Sequence, residues 1–98
     1  MAQQQSYVQG QRISCEGEFR LKGVPTDPAV VTCTFRAPDG TGTTLAYPSA
    51  DLTRLDLGVY EASLVAQQAG TYSIRLAGAG VVDAVGEATV NVARSTVL

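Results

Sequence analysis

Histidine and tryptophan are absent from this 98-residue chain, and cysteine (two), phenylalanine (two) and methionine (one) are scarce. Each absence excludes a chemistry. Without His the commonest general base and the commonest metal ligand are gone, so Ser-His-Asp and Cys-His catalysis and imidazole-bound zinc cannot be assembled. Without Trp, and with four Tyr, a stacking platform for sugars is thin. Seven Lys and Arg against nine Asp and Glu give a net charge of −2, which lacks the basic excess of a nucleic-acid binder. No apolar run approaches the ~18 residues of a transmembrane helix. Met1-Ala2-Gln3-Gln4-Gln5-Ser6 has neither a positive n-region nor an apolar h-region, so no signal peptide is read and cytoplasmic synthesis is expected.

At roughly 100–200 residues per domain, residues 1–98 make one domain with no room for a second. A chain of this size buries about 60–65% of its unfolded surface, enough for one modest core and too little for a deep substrate cleft. No enzyme activity and no cofactor are expected.

Period two runs through what remains. Ile13, Cys15, Gly17 and Phe19 share one phase, with Arg12, Ser14, Glu16 and Glu18 on the other. Val31, Cys33 and Phe35 alternate with Thr32, Thr34 and Arg36. The same alternation recurs at Tyr60, Ala62 and Leu64, at Tyr72, Ile74 and Leu76, and at Ala88, Val90 and Val92. Thr43–Tyr47 and Leu52–Leu55 add two short strands. No window supports a helix of useful length.

Turn residues punctuate these runs. Pro25-Thr26-Asp27-Pro28, Pro38-Asp39-Gly40, Tyr47-Pro48-Ser49, Ala69-Gly70 and Gly78-Ala79-Gly80 supply the fixed φ of proline and the positive φ of glycine. About seven strands with turn signals every 8–12 residues predict an all-β fold, a single immunoglobulin-like β-sandwich of antiparallel strands. Asp56-Leu57-Gly58-Val59-Tyr60 resembles the D-x-G-x-Y of immunoglobulin-type domains. That resemblance implies a tyrosine corner, with Asp56 and Gly58 shaping the turn and the Tyr60 hydroxyl folded back onto upstream backbone. Position 62 is Ala where an antibody domain has Cys, and the core Trp is missing.

Cys15 and Cys33 lie 18 positions apart, outside any metal-site spacing. Both share the phase of apolar neighbours and read as buried thiols, with a bridge between neighbouring strands as the alternative. Asp39, Asp51 and Asp56 fall in or beside loops. They read as turn caps, since calcium wants six to eight oxygens and no D-x-D arrangement is present. Asp83 and Glu87 flank the last strand without the cleft that a carboxyl pair for glycoside hydrolysis requires. Lys22 and the six arginines are spread along the chain; Arg12, Arg20 and Arg36 are candidates to meet an acidic partner. Val59, Val65, Val81 and Val82 fall where exposure is expected, and an edge strand with Val outward is a candidate for strand addition.

One wider resemblance rests on the order of landmarks: Tyr7-Val8-Gln9-Gly10, Thr26-Asp27-Pro28, Arg36-Ala37-Pro38-Asp39-Gly40-Thr41, Gly58-Val59-Tyr60, Ala69-Gly70-Thr71-Tyr72, and Gly80 through Glu87 before a Val-rich strand. In that order, from about Tyr7 to Val92, the chain resembles small Ig-like proteins of tailed bacteriophages. The resemblance implies a non-enzymatic structural protein of the virion, a capsid decoration or cement protein in many copies. A neck or tail adaptor is the alternative, and a carbohydrate- or host-surface-binding module is the reading from another class. The implied partners are other virion proteins, the major capsid protein or neck and tail proteins. Neither nucleic acid nor membrane is expected. Short arms at 1–6 and 93–98 are expected to dock on a neighbouring subunit, with Thr96-Val97-Leu98 as the apolar anchor.

Overall fold

A computed structural model of the protein describes residues 6–96. The outer parts of the two expected arms, 1–5 and 97–98, lie outside the described residues, and the proposed anchor at Val97 and Leu98 falls there. The strands are β1 (Ser6–Val8), β2 (Arg12–Glu18), β3 (Arg20–Leu21), β4 (Val24–Pro25), β5 (Val30–Arg36), β6 (Gly42–Ala46), β7 (Leu52–Asp56), β8 (Val59–Val65), β9 (Gly70–Ala79) and β10 (Ala84–Ala93). Among the described residues there is no helix, and so none that could cross a membrane.

Two sheets face each other. One has five strands in the order β1-β10-β9-β5-β6, the other three in the order β2-β8-β7. All their pairings are antiparallel except β1 with β10, which is parallel. This is the immunoglobulin-like sandwich that the strand count predicts. The inward phase read from the sequence is the phase that packs in β2, β5, β8 and β9, whereas in β10 Val92 is buried, Val90 half-buried and Ala88 exposed. Ile13, Val31, Cys33, Phe35, Tyr60, Ala62, Tyr72, Ile74 and Leu76 are buried in one cluster with Tyr7, Phe19, Leu52 and Val92. At roughly 1.5–3 kcal/mol per large apolar side chain removed from water, this cluster is the main stabilising contribution.

Three features depart from the expectations. Phe19 lies beyond the end of β2, where it is buried, and the chain then makes a small hairpin of β3 and β4 before the Pro25–Pro28 turn. Lys22 and Gly23 both have positive φ, 52° and 82°, the backbone of a two-residue hairpin turn. The last strand starts at Ala84 rather than near Ala88, because its backbone pairs with β9 through Gly78 although 84–87 are all exposed. Val82, expected on the surface, is 4% exposed and closes the core beneath the β9–β10 loop, while Val81 beside it is 63% exposed. Val59 and Val65 are half-buried.

Candidate interaction surfaces

The register places three loops at one end of the sandwich: the β2–β5 connection (19–29), the β7–β8 turn and the β9–β10 loop. Glu18 stands opposite Val59 at the β2–β8 end, Val30 opposite Ala79, and Ala84 opposite Gly78. Backbone hydrogen bonds knit the loops together. The Phe19 N–H donates to the Gly58 carbonyl (2.7 Å), Thr26 to Phe19 (3.0 Å) and Ala29 to Ala79 (2.9 Å). Gly58 is obligatory at this crossing. Its φ is +74°, and a Cβ there would lie 2.6 Å from the Phe19 carbonyl oxygen and 2.9 Å from the Thr26 nitrogen.

Asp27 is the centre of this end. Its carboxylate accepts the Gly58 N–H at 2.7 Å, the Arg54 guanidinium through Nε at 3.1 and 3.2 Å and through its terminal nitrogen at 3.1 Å, and the Tyr60 hydroxyl at 3.3 Å. The Arg54 hydrogen bonds, with the Gly58 N–H next, hold the Asp27 carboxyl below its ordinary range, and Asp27 in turn raises Arg54. Burial, then the neighbouring Asp27 charge, pushes the Tyr60 phenol up. The Tyr60 ring packs edge-on against Phe19 (centroids 5.8 Å apart) and Tyr47 (5.2 Å).

This geometry corrects the expected tyrosine corner. Tyr60 gives its hydroxyl to a side-chain carboxylate, and Asp56 accepts the N–H of Leu57 (2.7 Å) in a hairpin turn within one sheet. The corner is built by the second G-x-Y segment, Gly70-Thr71-Tyr72. There the chain crosses from β8 in one sheet to β9 in the other, and the Tyr72 hydroxyl accepts the backbone N–H of Gln68, four residues upstream, at 3.0 Å. A corner needs a crossing between sheets for the ring to span, and the 56–60 turn has none.

The other expected site residues are plainly placed. Cys33 is fully buried and Cys15 half-buried, both as free thiols. Burial, with Cys15 nearby, pushes the Cys33 thiol up to about 11, and burial also raises Cys15. Asp39 caps its own turn by accepting the Thr41 N–H (2.8 Å), which lowers its pKa, and Asp51 pairs with Arg12 (3.2 Å). Asp83 accepts the Gly80 N–H at 3.0 Å. Among the described residues no group of three or more Asp, Glu or Cys is placed to hold a metal. Of the three arginines expected at an interface, Arg12 binds Asp51 and Arg20 binds Glu18 (2.6 Å), which among the described residues leaves Arg36 outside any ion pair.

What the sequence reading missed is the distribution of exposed apolar residues. Nine large ones are exposed among the described residues, and eight belong to the end capped by these three loops. Leu21 and Val24 ride on the β3–β4 hairpin, Val30 and Val85 lie at the starts of β5 and β10, Leu55 lies near the end of β7 and Leu57 in the β7–β8 turn, Val81 tips the β9–β10 loop, and Tyr47 follows β6. Val8 alone lies elsewhere. The opposite end is polar and satisfies itself. Gln9 donates to the Gln67 carbonyl (3.0 Å), Gln11 accepts from Val8 (3.0 Å), and Gln68 accepts from Asp39 (3.3 Å). The signal that would have found the apolar end is Lys22-Gly23 between Leu21 and Val24, a hairpin turn that lifts two apolar residues into solvent.

No protein-family profile matches the sequence, and no curated protein matches it. Among solved structures the chain is similar to the filamin domain of Lin-41, with a TM-score of 0.66 at 16% identity over 92% of this chain and 84% of that one. The Ig-like domain of human leucine-rich repeat-containing protein 4 aligns over 97% of this chain and 84% of its own at 14% identity, with a TM-score of 0.43. At these identities the likeness to the filamin domain is one of fold. The protein is an all-β, immunoglobulin-like sandwich.

Proposed function

We propose that this chain is a non-enzymatic interaction protein that binds a partner through its apolar loop end, and that it serves as a decoration protein attached in many copies to a bacteriophage capsid. The observation that carries the interaction reading is the asymmetry of the two ends. Exposed apolar side chains gathered at one place on a small domain mark a contact surface, whereas scattered ones mean nothing. The loops that carry them are held by Asp27, Gly58 and three backbone hydrogen bonds, so little conformational freedom is left to lose on binding. The virion setting is supported by the order of landmarks along the sequence. Many copies on a symmetric shell make modest individual contacts effective. A neck or tail adaptor is the second reading, supported by the same landmarks.

Quantitative mass spectrometry of purified particles tests the proposal. A copy number comparable with that of the shell protein is expected for decoration. A number matching one neck or tail ring selects the adaptor, and absence from particles rejects both.

A further inference from the structure

The outer faces of the two sheets carry opposite and unmatched charge pairs. On the three-stranded sheet Glu16 and Glu61 stand directly opposite one another across β2 and β8, where like charges repel. Ion pairs among the described residues join Arg12 to Asp51, Arg20 to Glu18 and Arg54 to Asp27, so neither glutamate has a cation. On the five-stranded sheet Arg75 stands opposite Thr34 and Arg36 opposite Ser73, which makes the two arginines diagonal neighbours. With Thr34, Ser73, Glu87 and Thr89 they line a shallow groove of about 560 Å³. Arg36 reaches the Gly40 carbonyl at 3.5 Å, and among the described residues Arg75 makes no ion pair even though Glu87 stands opposite it on β10.

We propose that copies of this chain stack front to back, the Glu16–Glu61 pair of one copy seated between Arg36 and Arg75 of the next. The charge pattern selects a second copy as the occupant. Two carboxylates a cross-strand distance apart (Cβ separation about 5 Å) meet two guanidiniums a diagonal apart (about 7–8 Å), a difference that long side chains span. Charge-assisted hydrogen bonds between them relieve the repulsion on one face and supply partners to the cations on the other. Two arginines and Glu87 leave the groove a net charge of +1, a poor trap for a free polyanion and a good seat for a face with a few fixed carboxylates. The surfaces that meet are different on the two copies, so the contact does not close at a dimer and builds rows or rings. The loop end takes no part, and the stacking is independent of what that end grips.

Sedimentation equilibrium of the full chain tests this at about 1 mM, where even a weak interface is measurably filled. In about 0.01 M salt the average mass is expected to exceed one chain and to go on rising with concentration. In about 1 M salt, where the screening length is about 3 Å, it is expected to return to that of the monomer. R36E/R75E and E16R/E61R are each expected to be monomeric. Mixed in equal amounts they associate again, because each offers the other a complementary face. E87Q, which removes the carboxylate that repels the incoming pair, strengthens association. Should a reversed pair fail to fold by circular dichroism, R36Q/R75Q and E16Q/E61Q carry the same test through loss alone. Monomeric wild-type protein in low salt, assembly that stops at two copies, or variants that associate as the wild type does would each overturn the proposal.

Discussion

Tyr60 and Tyr72 stand two residues after glycines in similar short segments and end up with different tasks. Tyr72 holds the crossing between sheets by taking the Gln68 N–H, while Tyr60 adds one long bond to a carboxylate already supplied by Gly58 and Arg54. A net hydrogen bond contributes roughly 0.5–1.5 kcal/mol, and an orphaned donor costs more than a lost extra one. Tyr72→Phe is therefore expected to destabilise by about 1 kcal/mol or more and Tyr60→Phe by about 0.5 kcal/mol, read from urea midpoints. Equal losses would argue that the corner is not where we place it. Among the cysteines, burial keeps Cys33 protonated across the usual pH range. In native protein at neutral pH, Cys33 is expected to resist a thiol reagent and half-buried Cys15 to react slowly, and two thiols should titrate after denaturation without reductant. One or none would mean a bridge or another modification.

At the scale of elements, the β7–β8 turn and the 19–29 connection are joined through Asp27, which gives the loop end a pH dependence. The Asp27 carboxyl is lowered in the folded protein from its ordinary 3.8. A lowered carboxyl contributes stability that is present above the unfolded value and lost as pH falls through the folded one. Asp39, lowered by the Thr41 N–H, acts with the same sign. The stability gap between wild type and Asp27→Asn is expected to be constant above about pH 5 and to close below 3.8, measured by urea unfolding across pH. A gap that persists unchanged at pH 2–3 would show that the charge of Asp27 is not what matters. The alternation that marks β2, β5, β8 and β9 is legible in the sequence because each buries one face. β1 is illegible because three residues carry no period, and 84–87 because that part of β10 buries neither face. The corner is illegible for a related reason: D-x-G-x-Y reports a turn before an aromatic, and only the topology tells which turn crosses between sheets. The role of Asp27 lay equally out of reach, since its donors come from positions 54, 58 and 60, far away in sequence.

As a whole, the molecule divides its surface by chemistry. One end is apolar and preorganised, the other polar and self-satisfied, and the two sheet faces carry opposite charge pairs. Such a division suits the proposed role of a small protein that works by contact. The most direct measurement of the proposed role is co-sedimentation of the purified protein with phage particles that lack it, comparing wild type with a Leu57→Glu, Val81→Glu variant. Both positions are exposed, at 47% and 63%, so the variant should keep the wild-type circular dichroism spectrum. The wild type is expected to bind to saturation and the folded variant to stay in the supernatant. A variant that binds as tightly as the wild type, or a wild type that never sediments with particles, would contradict it.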